Sequence, residues 1–494
     1  MAATPEPTVT PRRVAILGGG VAGWTAALAL ARALGGTGEV SVIEPAGPDE
    51  SLGPFGAAEA SLPAIVRFHS RLGVDEEGLV REAKASFGVG AVYTGWHEPG
   101  QSYMLPFGDI GASFGPVAFH QLVGRSRAEG AAIRLADYSM AALCAQAGRF
   151  SHPSADPRSV LSAFEYGLHL DLPRYATILR AMAQAAGAIA QRAQVHEVQR
   201  SAAGSIAALH LSSGDTISAD LFVDCSGVAA RLIGEFEPFE SWDEWLLCDS
   251  AVPSTETSLE VPPLFVHSEA QIAGWRRSIS TQFARHDLSI FCSAETAEDR
   301  TGLLPAIRFR NGRRRRAWSG NCVAIGAAAG LLEPIDPMPL HLLHRQVERL
   351  VSLLPSTPNG AVEAAEFNRL TAAELERARD AAILRYKTNA RVGEAFWDRA
   401  RAMEVPAELA WKIELYRSRG RLALYDEEVL EEAQWIVAMD EGGVRPHRYD
   451  VLADAIDADA LSAHFARLRT VMIAELRTLP SHGDYLRHMI AGGQ

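Results

Sequence analysis

The chain has 494 residues, of which 48% are hydrophobic and 22% charged, with 47 Lys and Arg against 60 Asp and Glu. This composition is typical of a globular protein with room for two or three domains, and it excludes a disordered or fibrous chain. The net charge of -13 disfavours nucleic acid and anionic membranes as partners, because both need a basic binding surface.

The first residues are polar and rich in Pro and Thr. They lack the basic start and apolar core of a signal peptide, so we expect residues 1–12 to form a disordered tail. The five cysteines are odd in number, widely spaced and without a C-x-x-C pair, which argues against a disulfide scaffold and a thiolate metal site. We therefore expect a cytoplasmic protein without a bound metal.

The first predicted elements form a βαβ unit. Arg13–Leu17 has the apolar pattern of a buried parallel strand, residues 24–34 that of a helix, and residues 40–43 that of a second strand. A G-x-G-x-x-G motif precedes the helix, and an acidic residue follows the second strand. Such glycines let the backbone approach a pyrophosphate at the helix N-terminus, while the acid binds a ribose hydroxyl. The unit predicts a dinucleotide site formed by Gly18, Gly20, Val21, Ala22, Gly23 and Glu44.

The uncharged stretch 14–31 is long enough to raise the question of a membrane span. Four glycines within it separate a β-like run from an Ala/Leu-rich run, which favours a strand, a tight turn and a buried helix. A second dinucleotide fingerprint is missing, since Gly88-x-Gly90 is followed by Tyr93 where a glycine is needed. We therefore expect one tightly bound cofactor and no separate nicotinamide fold.

The middle of the chain predicts further strands around one helix. Residues 172–186 predict the helix, and residues 206–211 and 216–224 predict a β-hairpin joined by a Ser-Ser-Gly-Asp turn. Residues 321–326 predict a strand followed by small residues, where a helix N-terminus can approach a phosphate or a flavin ring. This order of elements is typical of two-dinucleotide-fold flavoproteins of the hydroxylase type.

Motifs along nearly the whole chain carry a family resemblance. They are GGGVAGW at 18–24, EASLP at 59–63, ADLFVDCSG at 219–227, DSAV at 249–252 and EP at 333–334. In this order they resemble the flavin-dependent tryptophan halogenases and their wider superfamily. The resemblance implies an FAD-binding protein, and it adds to the expected cofactor contacts Glu59, Ala60, Val195 and Gly326.

The resemblance also implies the fold and its divisions. We expect an α/β protein with a Rossmann-like FAD-binding part of the two-dinucleotide-fold, hydroxylase type, a β-rich substrate-side region and a helical C-terminal part. After the tail, the FAD-binding domain with interleaved substrate-side segments is expected at 13–340, and the helical region at 341–494.

The motifs that carry the catalytic residues in the halogenases are altered in this sequence. The resemblance places Gly88 where the halogenases carry the lysine that guides the oxidised halogen. Lys84 lies four residues earlier, about 13 Å along a strand or one turn along a helix, and is too distant to replace it. The family signature W-x-W-x-I-P reads here as W-R-R-S-I-S at 275–280. These changes argue against halogenation.

The segment after the E-P motif departs as well. Asp336 stands where the resemblance implies a catalytic glutamate, and Pro337, Met338 and Pro339 replace a Ser-Thr-Gly run that binds halide. Because proline lacks an N–H and methionine a hydroxyl, we expect the halide site to be absent or weakened. Asp336 keeps a carboxylate and is a predicted catalytic residue.

His341 is the second predicted catalytic residue. It shares a helix face with His344 three residues on, beside Asp336. One interpretation is acid–base catalysis or substrate hydrogen bonding, and the other is ordinary polar packing.

Two further groups of residues also allow a structural interpretation. We expect the arginine run 313–316 to pair with carboxylates rather than with nucleic acid. The tryptophans either line a pocket or belong to the core: Trp397, Trp411 and Trp435.

Together these features predict an FAD-dependent, oxygen-activating, monooxygenase-like oxidoreductase that acts on an electron-rich aromatic such as an indole or tryptophan, free or within a peptide. A separate flavin reductase is expected to supply reduced FAD, because the chain carries one dinucleotide fingerprint. Two alternatives stay open: a flavin-dependent halogenase with an atypical site, and a catalytically degenerate flavin-binding partner protein. A homodimer is compatible with the sequence, and no nucleic-acid or membrane partner is expected.

Overall fold

A computed structural model describes residues 12–45, 55–202, 204–295, 306–355 and 360–491, so the expected tail lies outside the described residues except for its last one. The strands are β1 (Arg13–Leu17), β2 (Glu39–Glu44), β3 (Ala58–Ala60), β4 (Ser86–Gly88), β5 (Gly90–Thr94), β6 (Ser102–Pro106), β7 (Gly167–Asp171), β8 (Ile189–Arg192), β9 (Val195–Arg200), β10 (Ile206–Leu211), β11 (Thr216–Ile217), β12 (Leu221–Asp224), β13 (Phe239–Ser241), β14 (Ser250–Thr257), β15 (Val266–Gln271), β16 (Gly274–Ser280), β17 (Ala284–Phe291), β18 (Ile307–Arg308), β19 (Gly312–Arg314), β20 (Trp318–Ser319), β21 (Cys322–Ala324) and β22 (Gly330–Leu331).

The α-helices are α1 (Val21–Leu34), α2 (Ala64–Arg71), α3 (Glu76–Arg81), α4 (Phe119–Ala128), α5 (Met140–Ala147), α6 (Leu172–Ala185), α7 (Pro339–Ser352), α8 (Ala361–Lys387), α9 (Ala395–Ala402), α10 (Ala407–Arg419), α11 (Glu432–Glu441), α12 (Ala458–Thr478) and α13 (His482–Ala491). Seven of these helices follow residue 338, as the predicted helical C-terminal part requires. No helix among the described residues is long and apolar enough to cross a membrane.

A six-stranded sheet with the order β20-β21-β12-β1-β2-β8 forms the cofactor side of the molecule. Its strands pair in parallel except at the β20 edge. The predicted βαβ unit is β1, α1 and β2, although α1 begins at Val21 rather than at Trp24, because Gly20 is its N-cap. The α/β, Rossmann-like fold class is confirmed.

The predicted hairpin differs from the structure in its second strand. β10 pairs with the short β11, after which the chain leaves the hairpin and enters the central sheet as β12. Asp220 lies at this crossing and accepts hydrogen bonds from the backbone amides of Arg12 and Arg13, each at 2.9 Å. One apolar run therefore serves two sheets, which its alternating pattern does not reveal.

A second, seven-stranded sheet with the order β18-β14-β17-β16-β15-β5-β6 forms the β-rich region. Between its β16 and helix α7 of the C-terminal part lies the small antiparallel sheet β3-β7-β4. Two hydrophobic cores result, one around the six-stranded sheet and one around the seven-stranded sheet. Helix α7 joins them, since Leu343 packs in the first core and Leu342 in the second.

The loop after β12 is fixed by one buried carboxylate. Asp224 is fully buried, and its side chain accepts hydrogen bonds from the backbone amides of Ser226, Leu232 and Ile233 at 2.8–3.0 Å and from the Ser226 hydroxyl at 2.6 Å. Asp224 therefore ties this loop to the carboxyl end of β12, next to that of β1.

We expect Asp224→Ala to lower the free energy of unfolding by about 3 kcal/mol, because two buried amides and one part-buried amide lose their acceptor. Chemical denaturation followed by circular dichroism measures this. Asp215→Ala is the matched control, since Asp215 is exposed and accepts bonds from the side chains of Ser213 and Gln191. Equal losses in the two variants would contradict the role assigned to Asp224.

Candidate functional site

The turn between β1 and α1 is shaped by contacts that only glycine permits. Gly18 has a φ of +129°, and a Cβ atom there would collide with the carbonyl oxygen of Cys225. A Cβ atom on Gly23 would collide with the carbonyl oxygen of Gly18. These two glycines therefore let the strand, the turn and the helix pack closely, as the fingerprint predicts.

The N-terminus of α1 is left without a side-chain partner. Its N-cap, Gly20, makes no capping hydrogen bond, and the first turn contains no acidic residue. The free amides and the helix dipole together suit an anion such as a pyrophosphate. This is the arrangement expected of a dinucleotide cradle.

A cavity of about 570 Å³ opens at this turn. It brings together most of the predicted cofactor and catalytic residues, namely Gly18, Gly20, Val21, Ala22, Glu59, Val195, Gly326 and Asp336. Gly326 has a φ of +67°, and its amide donates a 2.7 Å hydrogen bond to the side chain of Gln346, which also lines the cavity. Four predicted residues do not line it: Gly23, Glu44, Ala60 and His341.

Glu44 ends β2 and packs against the glycine turn. Its Oε2 atom lies 3.0 Å from Nη2 of Arg180 and 3.9 Å from Nε of Arg192. The carboxylate is therefore part of an ion-pair cluster, and its contact with a ribose stays a prediction.

Glu59 forms a buried ion pair that the sequence does not predict. Its Oε1 atom lies 2.5 Å from Nη1 of Arg277 and accepts a 3.1 Å hydrogen bond from the amide of Ala60. Burial raises the pKa of Glu59, and the adjacent guanidinium opposes that rise. Arg277, which interrupts the W-x-W-x-I-P signature, thus balances the charge of a cavity carboxylate.

Asp336 is bound in a second buried ion pair. Its Oδ1 atom lies 2.9 Å from Nη2 of Arg385 and accepts a hydrogen bond from the Tyr93 hydroxyl, and both members of the pair are almost fully buried. Burial and the neighbouring carboxylate raise the pKa of Tyr93 well above its usual range, so Tyr93 stays a neutral donor. This predicted catalytic carboxylate is therefore present, with its charge balanced by Arg385.

Glu333 is a third carboxylate in the cavity lining, and our sequence analysis gave it no role. Its Oε2 atom accepts hydrogen bonds from the Tyr386 hydroxyl at 2.5 Å and from Nε1 of Trp275 at 3.0 Å. Burial raises the pKa of Glu333 to about 7, because these neutral donors only partly offset the loss of solvent. The E-P motif marked Glu333 in the sequence, but Trp275 and Tyr386, which donate hydrogen bonds to it, are distant from it in sequence.

The position that the family resemblance assigns to the halogenase lysine is closed by a histidine. Gly88 lies in β4, and a Cβ atom there would be 2.5 Å from Nε2 of His169 in the adjacent β7. His169 is buried, and its Nδ1 atom is 3.3 Å from the carbonyl oxygen of Ser280. Burial lowers the pKa of His169 to about 4, so the ring is neutral at pH 7.

The whole sequence contains three lysines, Lys84, Lys387 and Lys412, a scarcity that our sequence analysis missed. Lys84 donates to the carbonyl oxygen of Arg81, Lys387 to two carbonyl oxygens of the C-terminal part, and Lys412 pairs with Glu428. None of the three lines the cavity in the described part of the chain. No lysine amine is therefore available at the site.

His341 and His344 do not meet Asp336 in the cavity. His341 faces α8, where its Nε2 atom lies 3.9 Å from Glu374, and His344 stacks on Phe68 with a centroid distance of 3.9 Å. Burial lowers the pKa of both histidines. Their contacts in the structure are those of ordinary packing.

The arginine run and the three tryptophans also take structural positions. Arg313 pairs with Glu240 and Glu376, and Arg316 pairs with Glu237, in line with the carboxylate partners expected for this run. Two of the tryptophans, Trp397 and Trp435, are fully buried in the core. Trp411 is half exposed at the surface.

Comparison with known proteins gives consistent results. The family model described as tryptophan halogenase matches residues 13–458. BrvH, a flavin-dependent halogenase from Brevundimonas sp. BAL3, is 34% identical with a TM-score of 0.92 over 97% of this chain and 99% of that chain. Xcc4156, a flavin-dependent halogenase from Xanthomonas campestris, is also 34% identical, with a TM-score of 0.91 over the same shares.

A curated relative extends the similarity. Tryptophan 7-halogenase RebH from Lentzea aerocolonigenes is 29% identical, and the match covers 82% of each chain. The family model, which spans residues 13–458, includes the βαβ unit, the β-rich region and most of the helical part.

We expect Gly20→Val to abolish FAD binding without unfolding the protein. Gly20 has a φ of -87°, which any residue adopts, so the added side chain affects the cavity side of the turn and blocks the approach of a pyrophosphate. Flavin absorbance per chain after desalting measures binding, and thermal unfolding of the cofactor-free protein reports the fold. Full flavin occupancy in a folded Gly20→Val protein would contradict the cradle.

We expect Gly88→Ala to lower the free energy of unfolding by about 2 kcal/mol, because the new methyl group overlaps the His169 ring in a packed core. In a His169→Ala background the same change should cost at least about 1 kcal/mol less, since the overlap is relieved. Urea denaturation of the four proteins of this double-mutant cycle measures the coupling. A coupling near zero would show that His169 does not restrict position 88.

Proposed function

Since the chain belongs to the tryptophan halogenase family and uses FAD, we propose that it transfers oxygen, rather than a halogen, to an electron-rich aromatic. The observation that carries this proposal is the absence of a lysine amine. Gly88 has no side chain, His169 fills the adjacent space, and the described cavity lining contains no lysine. An oxidised halogen would have no amine to guide it.

The glycine turn, the N-terminus of α1 and Val195 line the cavity and are proposed to hold the dinucleotide. Their fit rests on the close contacts of Gly18 and Gly23, which leave backbone amides at the cavity wall. When bound in its reduced form, FAD supplies the two electrons that convert one atom of O₂ to water while the other atom passes to the substrate.

The segment 336–339 supports oxygen transfer over halide use. Pro337 and Pro339 cannot donate backbone hydrogen bonds, and Met338 is buried with no hydroxyl to offer. Asp336 makes its charge-balancing contact with Arg385 instead. A halide at this wall of the cavity would therefore meet a carboxylate and few donors.

The substrate class and the source of electrons belong to the same proposal. An indole or tryptophan, free or within a peptide, suits an apolar cavity wall in which Leu342, Leu343 and Met338 lie next to the carboxylates. A separate flavin reductase is proposed to supply reduced FAD, because the sequence carries a single dinucleotide fingerprint.

Halogenation by an atypical site is the second candidate function. The similarity to BrvH and Xcc4156, which are flavin-dependent halogenases, favours it over a generic oxygenase. It would require a halide site built from other residues than the segment 336–339. The two candidates predict different products from the same incubation.

We expect tryptophan and indole, incubated with the protein, reduced FAD, O₂ and chloride or bromide, to yield no halogenated product. Mass spectrometry should show a product heavier by one oxygen atom. Tryptophan 7-halogenase RebH incubated with tryptophan in parallel is the positive control for the assay. Enzyme-dependent mono-halogenated product would overturn the proposal and establish the second candidate, whereas peroxide alone would favour a degenerate flavin-binding protein.

A further inference from the structure

The three carboxylates in the described cavity lining, Glu59, Glu333 and Asp336, differ in how their charge is balanced. Glu59 is paired with Arg277 at 2.5 Å and Asp336 with Arg385 at 2.9 Å, and both arginines are buried. Glu333 has only neutral donors on its Oε2 atom, the Tyr386 hydroxyl and the Trp275 indole. Glu333 is therefore the cavity carboxylate without an arginine partner.

This difference distinguishes Glu333 from the other two carboxylates. Arg277 and Arg385 are buried cations whose counter-charges are Glu59 and Asp336, and a buried charge without its partner is costly in a low-dielectric interior. A proton added to Glu333 leaves a neutral acid among neutral donors. Protonation of Glu333 thus creates no new unbalanced charge.

The groups around Glu333 do not compete for this proton. Tyr386 on α8 and Cys248 are its titratable neighbours, and their hydroxyl and thiol lie 3.6 Å apart. Burial raises the pKa of both well above the usual range, so neither ionises near pH 7. Burial places the pKa of Glu333 at about 7, where a proton acceptor is most effective at neutral pH.

Resting on the proposed function, we propose that Glu333 is a catalytic residue, the base that accepts the proton lost by the aromatic ring of the substrate. Tyr386 and Trp275 act as positioning residues, because their hydrogen bonds hold one carboxylate oxygen in place. Asp336 and Glu59 keep their arginine partners.

The step balances without a further reactant. Once the ring carbon has bonded to the transferred oxygen, it still carries its hydrogen. The C–H bond breaks, its electron pair returns to the ring and restores aromaticity, and the proton passes to an oxygen of Glu333. The product is neutral and Glu333 becomes the neutral acid, which releases the proton to solvent before the next turnover.

We expect the rate with indole, measured with FAD-loaded full-length protein at saturating reductase, to rise with pH through about 7 and then level off. Glu333→Gln should lower this rate by at least about 100-fold and abolish the rise with pH. Tyr386→Phe should shift the rise to higher pH, because it removes a hydrogen bond that favours the ionised carboxylate.

Infrared titration supplies a readout that does not depend on turnover. The C=O stretch of a protonated carboxylic acid that disappears near pH 7 should be lost in Glu333→Gln and shifted in Tyr386→Phe. Glu165→Gln is the matched control, since burial also raises the pKa of Glu165 to about 7 although this residue does not line the cavity. It should lose its own infrared component and keep the wild-type rate profile.

Two results would overturn the assignment of Glu333. One is a Glu333→Gln protein that retains FAD together with the wild-type rate and pH dependence, and the other is an unchanged infrared titration in that variant. Failure of the proposed function would look different. A halogenated indole would refute oxygen transfer yet leave the same test valid, because halogenation also releases the ring proton, whereas the absence of any aromatic product would overturn both.

Discussion

The alignment of four strand ends is the constraint on which the site depends. Hydrogen bonds continue past the strands from Gly18 to Ile43, from Cys225 to Leu17 and from Ile325 to Asp224, at 2.8–3.0 Å. They bring the carboxyl ends of β2, β1, β12 and β21 to one edge, which is where open parallel sheets bind ligands. The cavity occupies this edge because the glycine turn and the loop held by Asp224 leave it open.

The loop 333–336 adds chemistry to this edge. It places two carboxylates three residues apart against different neighbours, since Asp336 meets Arg385 and Glu333 meets Tyr386, the next residue along α8. Helix α8 thus supplies a cation to one carboxylate and a neutral hydroxyl to the other. Two acids on the same loop therefore lie in different electrostatic surroundings.

The sequence was sufficient to predict the cofactor side of the molecule. The glycine fingerprint, the strands around it and the predicted FAD contacts at Val21, Ala22 and Gly326 depend on local spacing, and the structure places these residues at one cavity. Local spacing was insufficient for the hairpin, where one apolar run divides between β11 and β12. Which sheet a short strand joins is decided by long-range pairing.

The partners of the site residues could not be read from the sequence for the same reason. Arg277 is 218 residues from Glu59, and Arg385 is 49 residues from Asp336, so neither ion pair leaves a local pattern. His341 failed to reach the cavity because the rotation of α7 turns it towards Glu374. The sequence shows that the chain has three lysines, but only the structure shows that the amines of all three bind partners outside the cavity lining.

The departures from the family signatures are mutually compatible in three dimensions. Gly88 leaves room that His169 occupies, and Arg277, an arginine within a tryptophan signature, meets the carboxylate of Glu59. Random decay of a site would leave cavities and unpaired buried charges, both of which destabilise a fold. At both positions the space is filled or the charge is paired, so neither departure leaves the kind of defect that destabilises a fold.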